Sequence, residues 1–147
     1  MTLARERSAA GRPGGWDDPV VRQRLVRLWS EEQIRRWTNL RVRAKARANR
    51  PVGPESSIGK VVQGTLNQQI QAMAVDLLGP DAVAWNPDAV DHPASLPYEV
   101  HGMLRSRANT IEGGTTEVNK NILAERVLGL PREPDPWYGA AWREVPR

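Results

Sequence analysis

Between Ser57 and Gly79 apolar side chains recur every three or four residues, at Ile58, Val61, Val62, Leu66, Ile70, Met73, Leu77 and Leu78. That spacing gathers into one stripe on an α-helix and scatters over both faces of a strand, so the segment folds as a helix that buries one side. Ser56 or Ser57 can cap it, and Gly79-Pro80 stops it. An earlier helix is expected from about Pro19 to Ala48, with Asp17 or Asp18 as cap and Pro19 in its first turn. Its apolar face is read as Val21, Leu25, Leu28, Trp37, Leu40 and Ala44, and Asn49-Arg50-Pro51 ends it. Pro51-Val52-Gly53-Pro54 then links the two helices.

The prolines and polar residues from Asp81 to Ala94 mark a surface excursion with nothing catalytic in it. A third helix is expected from Ser95 to about Ala108, and a fourth from Thr115 or Thr116 to the stop at Gly129. From Pro131 on, four prolines and two Trp predict an irregular tail. Nowhere do apolar and polar residues alternate as a half-buried strand requires, and the chain reads as all-α. The scattered Trp residues are read as core or interface anchors.

The 147 residues suit one domain with a core of its own. There is no Cys and only His92 and His101, which excludes disulfides and thiol nucleophiles and makes a dedicated transition-metal site unexpected. No long apolar run is present, and the start is charged and Gly-rich rather than leader-like, so a cytoplasmic protein without a membrane span is expected. Of 21 basic residues, ten fall between Arg22 and Arg50 against Glu31 and Glu32. A nucleic-acid binder is one reading of that excess. The arginines spread around the helix and no recognised nucleic-acid motif accompanies them, so a solvated face or an interface with acidic partners is favoured and no nucleic-acid partner is expected.

The chemistry-bearing pattern is Gly113-Gly114-Thr115-Thr116 leading into a helix. Glycines let a backbone approach a ligand closely, and the free N–H groups of a helix start favour an anion such as a phosphate or pyrophosphate. An ordinary tight turn before a Thr cap is the competing reading.

The stretch from Thr110 to Val118 (TIEGGTTEV), followed by Asn121–Arg132 (NILAERVLGLPR), resembles the C-terminal signature of the acyl-CoA dehydrogenases. Gly53–Lys60 (GPESSIGK) and Asp76–Gly79 (DLLG) are similar to the preceding part of the same domain, so the resemblance runs from about Leu3 to Arg132. It implies a four-helix C-terminal domain of a flavoprotein, and with the four helices read above the expected fold is an all-α four-helix up-and-down bundle. Residues 1–15 are then a truncated N-terminal segment, 16–133 the helical domain and 134–147 the tail.

The resemblance further implies FAD, an acyl-CoA substrate, a place in fatty acid metabolism, electron-transfer flavoprotein as acceptor, and homo- or hetero-oligomeric assembly. Gly114, Thr115 and Glu117 match the family's flavin-contacting turn. One common type of the family carries its catalytic Glu immediately before the glycine matched by Gly114; here Gly113 stands there and Glu112 comes one residue too early. Other members carry the base in a Glu-Arg pair on an earlier helix, which Glu6-Arg7 resembles, so Glu6 is the candidate base. The Gln and paired Gly by which the family holds a neighbouring subunit's flavin align with Asp76, Gly79 and Pro80, and Asp there brings a carboxylate toward a pyrophosphate. A catalytically silent helical module that pairs with a complete dehydrogenase subunit is the alternative.

Overall fold

In a computed structural model of the chain, residues 1–84, 96–132 and 134–146 are described. Among them there are five α-helices and no strand: α1 Thr2–Ala9, α2 Pro19–Arg47, α3 Ser57–Leu78, α4 Tyr98–Ser106 and α5 Thr116–Arg126. Of the expected caps, Asp18 and Thr115 bond the helix starts that follow them, whereas Ser56 stands at the start of α3 without a side-chain bond and α4 begins at Tyr98 with none. The Asp18 carboxylate accepts from Val20 N–H at 2.8 Å with Pro19 behind it, and Gly79, at φ +62°, takes the left-handed conformation that ends α3.

The apolar α3 is the hub on which α1, α2, α4 and α5 all pack. Arg24 pairs with Asp76 at one end of α2, and Lys45 with Glu55 near the other, so α2 runs antiparallel to α3. α4 is also antiparallel, because Gln68 Nε2 donates to the Ser106 carbonyl while Gly102 lies against Gln71. Close approach explains two glycines in α3. A Cβ on Gly59 would stand 2.6 Å from Asn39 Oδ1, and one on Gly64 would stand 3.2 Å from the Asn109 carbonyl.

The main core joins Ala4, Val21, Leu25, Met73 and Leu77, with Leu3, Trp16 and Leu28 packed on it. Leu66 of α3 and Val100 of α4 are buried as well, outside this cluster. The core contains a helix that the sequence reading lacked. Residues 1–15, read as a truncated segment outside the domain, include α1, whose Ala4 is fully buried. An eight-residue helix with one buried side chain and no side-chain cap gives almost no periodic signal.

The α2 stripe also needs correction. Val21, Leu25 and Leu28 face the core, whereas Trp37, Leu40 and Ala44 are exposed. Leu28 and Trp37 are nine residues apart, about two and a half helical turns, so they cannot share a face. Of the Trp residues read as anchors, Trp16 packs on the core beneath the Arg5 guanidinium, 5.0 Å from the ring centroid, while Trp29, Trp37, Trp137 and Trp142 are exposed. Trp85, His92 and most of the 81–94 excursion lie outside the described residues.

Candidate functional site

The turn before α5 is built by its own sequence. After α4 the chain tightens through Arg107–Thr110, and the Ile111 and Glu112 N–H groups both donate to the Ala108 carbonyl. Gly113 and Gly114 follow at φ +64° and +94°, a region that a side chain makes costly. Thr115 returns to extended backbone, and its Oγ accepts from Val118 N–H at 3.2 Å as the cap of α5. The first helical bond inside the turn runs from Asn119 N–H to the Thr115 carbonyl. The Thr116 and Glu117 N–H groups precede it and point along the helix axis, where the dipole favours negative charge.

Asn119 was not among the residues singled out from the sequence, yet it holds this turn. Its buried Nδ2 donates to the carbonyls of Gly114 at 3.1 Å and Thr115 at 2.9 Å, which fixes where the glycines lie. A Cβ on Gly114 would meet that nitrogen at 3.0 Å. Lys60 flanks the other side. Its Nζ donates to the Asn109 carbonyl at 2.6 Å and stands 4.0 Å from where a Gly113 Cβ would be. A backbone exposed at two glycines, open N–H groups and a neighbouring ammonium together suit an anion.

Two carboxylates bear on proton transfer. Glu112 is held by Arg105 at 2.8 Å; this hydrogen bond, with the added pull of Arg105 and Lys60, keeps its carboxyl below the ordinary glutamate range and makes it a weaker base. Glu6 lies on α1, exposed at the mouth of a groove of about 210 Å³ that Leu3, Ala10, Leu77 and Leu78 also line. Its neighbour Arg7 ties α1 down: Nη1 donates to the Leu77 carbonyl at 2.7 Å, and Nε donates to that of Pro13 at 2.6 Å.

Within one chain Glu6 and the glycine turn do not meet. Arg7 touches α3 at Leu77 and the turn touches it at Lys60, points about 25 Å apart along the helix axis. Asp76, expected to set a carboxylate toward a pyrophosphate, instead pairs with Arg24 at 2.7 Å. His101 is exposed, and among the described residues no group of acidic, His or Cys side chains suits a metal.

A family model described as the C-terminal domain of acyl-CoA dehydrogenase matches residues 1–128. The acyl-CoA dehydrogenase IpdE1 of Mycolicibacterium smegmatis is 34% identical over 137 residues, covering 90% of this chain and 32% of the relative. IpdE1 of Mycobacterium tuberculosis is 32% identical over 133 residues, covering 90% of the chain and 31% of the relative. A solved structure titled Tcur3481-Tcur3483 steroid ACAD superposes with a TM-score of 0.67 at 21% identity, over 90% of this chain and 34% of that one. That likeness speaks for the fold. The chain thus spans about a third of the length of the curated relatives it matches. With the glycine turn, the Thr cap and the helices around α3 in place, the chain belongs to the acyl-CoA dehydrogenase family, through its C-terminal domain.

Proposed function

We propose that the chain supplies the C-terminal helical wall of an FAD-dependent acyl-CoA dehydrogenase, which removes hydrogen from the α and β carbons of an acyl-CoA thioester. The observation that carries this reading is the open glycine turn at Gly113–Thr116, kept in shape by Asn119 and flanked by Lys60, a geometry that suits an anion. Gly114, Thr115 and Glu117 would hold the cofactor's edge: Gly114 admits close approach, Thr115 caps the helix, and the Glu117 N–H is one of the open donors. FAD, when bound, supplies the acceptor for the hydride that leaves the β carbon.

The proton from the α carbon goes to a carboxylate of the protein, for which Glu6 is our assignment. It lines a groove with Leu3, Ala10, Leu77 and Leu78 in which the two arginines present, Arg7 and Arg12, are taken up by backbone carbonyls and by Asp81, whereas Glu112 is itself paired with Arg105. Because Glu6 and the turn touch α3 far apart, the working site is completed by protein outside this chain, in a homo- or hetero-oligomer. Electron-transfer flavoprotein is the proposed acceptor in turn. The superposed steroid ACAD makes a bulky polycyclic acyl group a candidate beside the linear acyl groups of fatty acid metabolism.

The second reading, a silent module that pairs with a complete subunit, is favoured by one observation. Gly113, where a common type of the family has its base, carries no proton acceptor and adopts a left-handed backbone at φ +64°. Stopped-flow reduction of the assembled flavoprotein by acyl-CoA separates the two. Glu6→Gln is expected to slow flavin reduction by about 10²-fold or more, as removal of a general base does, and Glu112→Gln to change it far less. The reverse order would move the base to Glu112, and no effect of either would favour the silent module.

A further inference from the structure

Lys60, Gly64 and Gln68 follow one another on α3 at four-residue steps, so they share one face of it, and each meets the link between α4 and α5. Lys60 Nζ donates to the Asn109 carbonyl at 2.6 Å, and a Cβ on Gly64 would stand 3.2 Å from the same carbonyl. Gln68 Nε2 donates to the Ser106 carbonyl at 3.3 Å and to Thr110 Oγ1 at 3.4 Å. Together the three seat the stretch that leads into Glu112 and the two glycines.

Only Lys60 among them is charged, and it is half-buried. An ammonium has three donors, and one of these is spent on Asn109. Among the described residues no ion pair takes in Lys60, and the nearby Glu112 is held by Arg105 at 2.8 Å. Drawing a charge partly out of water without a counter-charge costs free energy, and a neutral donor would serve a single carbonyl as well. The charge faces the turn, since Nζ stands 4.0 Å from where a Gly113 Cβ would be. We propose that Lys60 is the positioning residue of the glycine turn: it holds the turn against α3 through Asn109 and sets beside it a fixed positive charge that favours a pyrophosphate. The inference deepens the function proposed above and rests on its reading of the turn as an anion site. FAD and coenzyme A both carry a pyrophosphate, so that group is the ligand chemistry.

The test titrates the full, isotope-labelled chain with inorganic pyrophosphate at constant ionic strength, followed by amide NMR shifts. Lys60→Met removes both donor and charge, Lys60→Gln keeps a donor without the charge, and Lys60→Arg keeps both. Shifts are expected to centre on residues 113–117. Affinity should fall at least about tenfold in the Met and Gln variants, the loss of one charge-assisted bond, and stay within about threefold of wild type in the Arg variant. The seat is read without ligand, from hydrogen exchange of the Ile111 and Glu112 amides, both bonded to the Ala108 carbonyl. Their exchange should quicken at least about fivefold in Lys60→Met and much less in Lys60→Gln. A purely structural lysine would move exchange and affinity together, whereas the Gln variant is expected to part them.

Four results would overturn the proposal: pyrophosphate shifts that avoid the turn, wild-type affinity in Lys60→Met, wild-type affinity in Lys60→Gln with the turn still closed, or unchanged exchange in Lys60→Met. The same titration with FAD and with coenzyme A tells the two carriers apart, because the one that the charge serves shifts the turn and loses affinity in Lys60→Gln. Pyrophosphate bound at the turn under the control of Lys60, with no FAD shift there, would leave this inference standing and remove the flavin reading. FAD shifts at the turn, with no ligand's affinity altered by Lys60→Gln, would do the reverse.

Discussion

Asn119 is one of two polar residues buried in the described part of the chain, and both its donor bonds go to carbonyls of the turn that precedes its own helix. Truncation to Ala leaves the Gly114 carbonyl without its donor and the Thr115 carbonyl with the Asn119 N–H alone, at a cost of about 1–3 kcal/mol. Asp at the same place is worse, because it offers only acceptors to two acceptors. Thr115→Ala removes the cap and costs about 1 kcal/mol, while Thr115→Ser restores most of it. Urea unfolding of the four variants checks the order: Asp and Ala at 119 least stable, then Thr115→Ala, then Thr115→Ser near wild type. An equal midpoint for Asn119→Ala and wild type would show that the side chain does not hold the turn. The cap was legible in the sequence because a Thr before an apolar-periodic run announces a helix start. Asn119 was not, since an Asn inside a helix looks the same whether it faces water or reaches back to the turn.

The helices were legible in proportion to their amphipathicity. α3, apolar along its length and bounded by Ser57 and Gly79, appears in the structure where the sequence placed it, and α2 does so to within a residue or two. What α2 faces was not legible, because its apolar residues belong to two stripes and only packing tells which one the chain itself buries. α1 escaped because it is held by Arg7 and one buried Ala rather than by a stripe.

Ion pairs brace α2 internally and tie neighbouring elements together, and three glutamates report on them. Glu32 is lowered below the ordinary value of 4.5 by its hydrogen bond to Arg35, Glu55 by that to Lys45 and Glu112 by that to Arg105. A carboxyl depressed in the folded state stabilises above its unfolded pKa and loses that contribution as pH falls through the folded value. Stability is therefore expected to hold from neutral pH to about 5 and to fall below about 4.5. In Glu32→Gln with Glu55→Gln and Glu112→Gln part of that fall should disappear, which urea midpoints measured between neutral pH and 3 would reveal. An identical pH profile in the triple variant would mean that the pairs contribute nothing in solution.

At the scale of the whole molecule the proposed function makes the chain one wall of a larger site. It spans about a third of its relatives, and the helix that carries Glu6, the proposed base, and the glycine turn contact separate ends of α3. Tight small-molecule binding depends on burying most of the ligand, so the chain alone is expected to purify colourless and to bind FAD only weakly. Weak binding still leaves a mark on the residues that touch the ligand. Titration of the isotope-labelled chain with FAD, followed by amide NMR shifts, is the most direct test that the Gly113–Glu117 turn is the flavin-contacting edge. The account predicts fast-exchange shifts centred on Gly114, Thr115, Thr116 and Glu117, abolished by Gly114→Ala, whose added Cβ would meet Asn119. Shifts that centre on the arginines of α2 and leave the turn unmoved, or no shift at millimolar FAD, would contradict it.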